Sequence, residues 1–429
     1  MCNYSDMLAQ IKRQPAMERL SQLYGMRNGE LARQVSRYTG LVKTHEDSFH
    51  TSAPLYMISA PGRTEIIGNH TDHNNGRVLA AAVNLDCLAC VSPREDMTVR
   101  IQSAGYPGIE ISLDDLSVHP EEEGTSAALV RGVAKAMADR GYKLGGFDAA
   151  VTSDVLGGSG LSSSAAYEVM ICAILDALYN GFVVNSTVRA QISQVAENEY
   201  FGKPSGLMDQ MACSTGGLVT IDFKDVKNPV VEPLFYDFQK AGYSLVIVNT
   251  GGSHDNLTAE YAAVRTEMQA VANELGEDVL RPVRPEEFWQ KIPELRQKLG
   301  ERPILRAMHF IDENARVKAM VKAVREQDLQ AMFENIIASG ESSWKLLQNL
   351  YAGKSQPLCL ALAMAAVQLK GKGAWRVHGG GFAGTTLNFV PNAQVDDFVR
   401  QMEAVFGRHA CFVLNVRPEG AAVVFAPQA

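Results

Sequence analysis

Two short stretches hold the residues whose types and spacing can do chemistry. GGSGLSSSAA, Gly157 to Ala166, opens a strongly periodic apolar run, AYEVMICAILDALYN. Its glycines let the backbone approach an anion closely, and the unpaired N–H groups at the start of the following helix add the positive end of a dipole. A polyphosphate fits that arrangement, with Gly157, Gly158, Ser159, Gly160, Leu161, Ser162, Ser163, Ser164 and Ala165 as the candidate cradle. The serine hydroxyls add donors, and one of them can ligate a magnesium ion held between phosphates. No lysine follows the glycines as a P-loop requires, nor is the spacing G-x-G-x-x-G after a parallel strand. The same residues also suit a plain Gly-Ser turn with Ser162 as a helix N-cap, so the loop alone leaves both readings open.

The second stretch, GRTEIIGNHTDHNNG from Gly62, sets an arginine, a glutamate, two histidines, an aspartate and three asparagines among three glycines, immediately before the apolar run RVLAAAV. Taken by itself, Asp72 in TDHNNG reads as a turn-forming carboxylate.

These stretches need ordered elements to position them. At 429 residues the chain exceeds the size at which one core keeps growing, so two domains sharing an interface are expected. A hydrophobic fraction of 46% and a charged fraction of 21% are those of an ordinary soluble globular protein. The net charge of -8 argues against a broad nucleic-acid surface, so any phosphate binding must be local. Seven scattered cysteines fit a reducing cytoplasm better than a disulfide scaffold. Cys87 and Cys90 form a C-x-x-C, but inside VLAAAVNLDCLACV period-two burial explains both thiols as core residues. The first twenty residues carry charges where a signal peptide needs an apolar stretch, and the longest apolar runs are too short to span a bilayer. A cytoplasmic chain without a membrane or nucleic-acid partner is the expectation, with its oligomeric state unread.

Met7, Ile11, Met17, Leu20 and Leu23 stand at helical spacing, which predicts an N-terminal helical extension over residues 1–52 that ends in a polar connector from His45 to Ser52. From Tyr56 to about Val151, short β-branched runs between turns predict a mostly antiparallel sheet with one helix at SAALVRGVAKAMADRG. One helix follows the serine loop, a second is STVRAQISQVAENEYFG, YSLVIVNTG reads as a strand, and further helices fill Asn256 to about Leu369. VHGGGFAGTTLNFV and CFVLNVRPEGAAVVF supply a glycine turn and the last strands. The mixture is that of an α+β fold.

Viewed together, GRTEIIGNHTDHNNG resembles the galactokinase signature, GGSGLSSSAA the phosphate loop of the wider GHMP small-molecule kinase superfamily, and GGGFAGTT its third, C-terminal motif. They stand in family order at family-like separations, with GLMDQ and AEYAAVR between them, and the similarity runs from about Pro54 to the C-terminus. The resemblance implies an N-terminal ribosomal-S5-like domain (53–225) and a C-terminal ferredoxin-like domain (226–429), with the active site in the cleft between them. It also implies transfer of the γ-phosphoryl group of ATP, with Mg2+, to the anomeric hydroxyl of a galactose-like sugar.

On that basis the polar stretch is a sugar-binding edge, because only densely placed donors and acceptors discriminate hydroxyls. By resemblance Arg63 sits beside the reacting hydroxyl, His70 and Asp72 hold the far side of the ring, and Gly206 and Tyr261 complete the pocket. Asp209 in GLMDQ matches the family's catalytic aspartate, although by residue type alone it also suits an N-cap. Pairing with Arg63 is expected to keep Asp209 ionised, which leaves orientation of the nucleophile as an alternative to strong base catalysis. Ser164 and Glu197, the latter in VAENEYFG, match the magnesium positions and offer that ion hard oxygens. Glu199, two residues along the same helix, is expected to face solvent. Gly379, Gly380 and Gly381 let backbone pass close to the nucleotide or the sugar.

The chain also departs from the family pattern. Asn69 stands where galactokinases carry a glutamate that contacts the sugar's distal hydroxyl, His73 replaces a tyrosine, Leu156 a proline and Thr385 a cysteine, and TSAALVRGV lacks the usual tryptophan. Loss of the negative charge at Asn69 is expected to relax selectivity at the far end of the ring, with galactose as the default acceptor and galacturonate next. The rival from another class is a non-catalytic sensor of sugar and ATP, against which stand the intact SSSAA, Arg63 and Asp209. Mevalonate or homoserine as acceptor is disfavoured by the H-T-D-x-N sequence.

Overall fold

Apolar residues recurring at helical spacing begin the chain. The computed structural model describes residues 4–25, 27, 29–155, 161–203, 205–251, 258–350, 354–382 and 384–427. It opens with α1 (Tyr4–Ile11), α2 (Gln14–Tyr24) and α3 (Glu30–Phe49). Met7, Ile11, Leu20, Leu23, Tyr38, Leu41 and Val42 make one apolar face, which packs on Leu55, Met57, Leu88, Cys90 and Phe425. The connector expected from His45 is not there, because α3 continues to Phe49. His45 falls on the buried face with Tyr38, Leu41 and Val42, and its ring nitrogens bond Tyr4 at 2.9 Å, Ser92 at 3.2 Å and the Asp148 carbonyl at 3.3 Å. Burial pushes its pKa down to about 4, so it packs as a neutral ring.

The first sheet has eight strands. They are β1 (Tyr56–Ile67), β2 (Arg77–Pro93), β3 (Thr98–Ser103), β4 (Ile109–Ser112), β5 (Phe147–Ser153), β6 (Leu218–Asp222), β7 (Val230–Leu234) and, from the far end of the chain, Ala422–Phe425. The last of these pairs with β1, then the order runs β1-β2-β5-β3-β4, with β6 on the first half of β2 and β7 on β6. All pairings are antiparallel except β3 with β5. Cys87 and Cys90, three apart on β2, fall on opposite faces: Cys87 packs with Ala89 and Val91, and Cys90 with Met57 and the N-terminal helices. They cannot share a metal, and both thiols are buried core residues. Helices α4 (Ser126–Ala138), α5 (Ser163–Tyr179) and α6 (Ser186–Val195) cover the face opposite the N-terminal helices, and α7 (Met208–Thr215) lays Met208 and Met211 against Val78, Ala80, Val219 and Ile221.

The second sheet is formed by β8 (Tyr243–Asn249), β9 (Ala374–His378), β10 (Thr385–Pro391) and β11 (Cys411–Leu414) in the order β11-β8-β10-β9, all antiparallel; the strand at Ala422–Phe425 is β12. Helices α8 (Thr258–Glu274), α9 (Pro285–Leu299) and α10 (Glu301–Arg325) build a cluster around Phe288, Phe310 and Phe382, while α11 (Leu329–Ser342) lays Phe333 and Ile336 against the sheet. The sheet's other face takes α12 (Pro357–Leu369) and α13 (Val395–Phe406). β7 and β12, both beyond residue 226, pair in the first sheet. No helix among the described residues is long and apolar enough to cross a membrane.

One buried charge joins the chain's beginning, middle and end. The Asp86 carboxylate accepts from the Tyr24 hydroxyl at 2.5 Å, Arg37 at 2.6 Å, Arg417 at 3.3 Å and the Ser59 hydroxyl. Burial alone would raise its pKa, but the two guanidinium groups and the hydroxyl donors hold it below its ordinary value.

Candidate active site

Between two irregularities in its pairing with β2, β1 alternates regularly from Arg63 to Glu65, so these two side chains share a face and Thr64 takes the other. Arg63 Nε and Nη2 donate to the two oxygens of Asp209 at 2.7 and 2.8 Å, a bidentate pair. Asp209 is the second residue of α7 rather than its cap, where the helix dipole favours a carboxylate. Ser162, left-handed at φ 58°, occupies the N-cap position of α5 without capping it. Its hydroxyl donates to Asp209 Oδ2 instead. The loop and the strand meet where the Arg63 N–H donates to the Leu161 carbonyl at 3.1 Å, and a Cβ on Gly62 would lie 2.8 Å from that oxygen. Burial would push the Asp209 pKa up, yet Arg63 and the Ser162 bond outweigh it and hold the carboxyl below its ordinary value. Asp209 is therefore an anion at neutral pH.

Of the candidate phosphate cradle, Leu161 and Ala165 are buried and Ser163 opens α5; Gly157, Gly158, Ser159 and Gly160 lie outside the described residues. Ser164 Oγ donates to Glu197 Oε1 at 2.8 Å, Lys203 Nζ to the same oxygen at 2.6 Å, and Gln210 Nε2 to Glu197 Oε2 at 2.7 Å. A π-helical turn, Ala196–Tyr200, follows α6 and turns Glu197 inward while Glu199 stays exposed. A hydroxyl and a buried carboxylate that already attracts an ammonium group fit a magnesium ion, whose other positions are water and phosphate. Among the described residues no group of three or more histidine, cysteine, aspartate or glutamate side chains is placed to hold a metal ion. Ser164→Ala and Glu197→Gln are each expected to raise the magnesium concentration for half-maximal activity several-fold, with sugar affinity unchanged; magnesium titrations that superpose on the native one in both variants would remove these residues from the ion's site.

Three successive carbonyls of the triple glycine are gripped from the other half of the cleft or from α8. Asn69 Nδ2 donates to Gly379 O at 2.7 Å, His70 Nε2 bonds Gly380 O at 2.9 Å, and the Tyr261 hydroxyl donates to Gly381 O at 2.6 Å. A Cβ on Gly380 would lie 2.4 Å from the Tyr261 ring, and one on Gly381 would lie 2.2 Å from the Asn349 carbonyl. Gly206 comes up against Asp72, where a Cβ would stand 3.1 Å from Oδ2. Asp72 does begin a short 3-10 turn, Asp72–Asn74, as its residue type allowed. Burial pushes its pKa up, opposed by His70.

Asn69 differs from its expected part as a reader of sugar. Its amide donates to Gly379 O and to Glu65 Oε1 at 3.2 Å, and its carbonyl accepts from Asn349 at 2.9 Å and Ser343 at 3.3 Å. Two donors and two acceptor positions are thus filled by protein, and the residue is 1% exposed. Glu65, which the residue patterns did not single out, is held by buried Arg376 at 2.7 Å. The signal for Glu65 was its parity with Arg63 on one strand.

Residues 43–93 match the galactokinase galactose-binding signature, and residues 128–217 match the GHMP kinases N terminal domain. Galactokinase of Glaesserella parasuis serovar 5 is 34% identical over 361 residues, 83% of this chain and 90% of that protein. Galactokinase of Actinobacillus pleuropneumoniae serotype 5b is 33% identical over 347 residues, 80% of this chain and 87% of that protein. The crystal structure of Lactococcus lactis galactokinase complexed with galactose has the same fold, with a TM-score of 0.75 at 24% identity over 89% of this chain and 98% of that one. The chain has the GHMP kinase fold and belongs to the galactokinase family.

Proposed function

We propose that the chain transfers the γ-phosphoryl group of ATP to the anomeric hydroxyl of galactose. The observation that carries this reading is the Arg63–Asp209–Ser162 cluster, in which one carboxylate is shared by the sugar-signature strand and the serine loop. A hydroxyl placed beside Asp209 meets an acceptor whose charge is fixed by Arg63, so the O–H is oriented with its lone pair toward the phosphorus. As the new O–P bond forms and the bond to the ADP oxygen breaks, Asp209 holds the hydroxyl in line and its proton leaves to an oxygen of the transferred phosphoryl group. His70, Asp72 and Tyr261 line the rest of the ring, and Gly206 leaves room for it. Bound at Ser164 and Glu197, a magnesium ion would neutralise charge on the phosphates.

The test is ADP release from ATP with galactose, with galacturonate and without sugar. Sugar-dependent release with galactose is expected. Binding of ATP and galactose without turnover would favour the sensor, and turnover of galacturonate in preference to galactose would change the acceptor.

A further inference from the structure

The sugar signature of this chain lacks a carboxylate at Asn69, yet the structure places one beside it. Glu65 Oε1 lies 3.2 Å from Asn69 Nδ2, on the same face of β1 as Arg63, and so on the side that carries the reacting cluster. Arg376, wholly buried, fixes that oxygen through Nη2 at 2.7 Å and donates from Nη1 to the Ile66 carbonyl, also at 2.7 Å. The second oxygen, Oε2, accepts no hydrogen bond among the described residues, and the Glu65 side chain keeps 7% of its surface exposed. Asn69 meanwhile has no donor or acceptor left to offer.

Resting on the sugar-kinase reading above, we infer that Glu65 is a specificity-determining residue, whose free oxygen accepts the primary hydroxyl at the far end of the galactose ring. Asn69 is a positioning residue that holds Glu65 and the Gly379 carbonyl in place. A carboxylate is thereby supplied four residues before Asn69, and although Arg376 compensates its charge, its acceptor-only free oxygen disfavours the carboxylate of a uronic acid. This reverses the expectation that the asparagine opens the site to uronic acids.

The experiment measures kcat/KM for galactose, 6-deoxygalactose and galacturonate with the native protein and with Glu65→Gln. The native protein is expected to favour galactose over both analogues by roughly tenfold or more, the scale of one hydrogen bond to a charged group. Glu65→Gln should lower kcat/KM for galactose by roughly tenfold, mainly through KM, and leave 6-deoxygalactose within twofold, since that sugar has no hydroxyl to lose. Equal losses on galactose and 6-deoxygalactose would mean that Glu65 only supports the fold, and would overturn the inference. If Glu65→Gln does not fold once Arg376 loses its partner, the native protein still decides: galacturonate or 6-deoxygalactose used as well as galactose would overturn it. Absence of turnover with galactose in the native protein would instead overturn the kinase reading itself, and is seen before any variant is made.

Discussion

Asp209→Asn is expected to lower kcat by roughly 10²- to 10⁴-fold, the range for losing a positioned acid-base group, with KM for sugar and ATP changed only a few-fold. The substitution keeps the shape of the side chain but turns one of the two oxygens gripped by Arg63 into a donor that faces a donor. One charged hydrogen bond is lost, about 1–3 kcal/mol, so the variant should fold and melt somewhat earlier. What disappears is the anion that aligns the attacking hydroxyl. Because Arg63 and Ser162 hold the native carboxyl below the usual carboxylate range, kcat should stay flat as pH falls from 8 to about 5. Near-native kcat in a folded Asp209→Asn protein would sink the assignment. An acid limb near pH 6 that vanishes in the variant would point to a carboxylate that carries the proton rather than one that only orients it.

The largest expected loss of stability comes from a residue with no part in the chemistry. Asp86→Asn leaves Arg37 and Arg417 facing a neutral amide in a site where Asp86 and Arg417 are fully buried, and removing one partner of such a cluster costs about 3–5 kcal/mol. The folded-state pKa of Asp86 is depressed, so its contribution is complete above the unfolded value and fades as pH falls through the folded one. The gap in stability between native protein and variant should therefore be constant near neutrality and narrow below about pH 4. Urea denaturation at pH 7 and at pH 3.5 measures both, and equal midpoints for the two proteins at pH 7 would show that the arginines find other partners.

Local periodicity was enough to reveal most elements. The strands at YSLVIVNTG and FDAAVTSDV carry their burial in their own residues, and the period-two pattern around Cys87 and Cys90 marked both as core residues, which they are. His45 misled because a polar side chain in a run of charges reads as a connector, and only its position seven residues after Tyr38 shows that it faces inward. CFVLNVRPEGAAVVF looked like one closing unit, whereas its two strands enter different sheets; long-range pairing leaves no mark on the strand that makes it. Arg63, Asp209, Ser164 and Glu197 were legible through motif resemblance, and the structure brings them together in two bonded sets. The grip of Arg376 on Glu65 was not legible, since the two are 311 residues apart and an arginine in AWRVH resembles any strand arginine.

The pairing of β1 with β12, and of Ser59 and Asp86 with Arg417, has a consequence for how the polypeptide is made. Arg417 follows Ser59 by 358 residues, so at the usual speed of translation it emerges about 20 to 70 s later. Throughout that interval β1 has an open hydrogen-bonding edge, and Asp86 has at most one of its two arginines. The first sheet is therefore finished only once β12 has emerged, however early its first strands leave the ribosome. A message cut short just before β12 yields an adhesive edge strand rather than a smaller working enzyme.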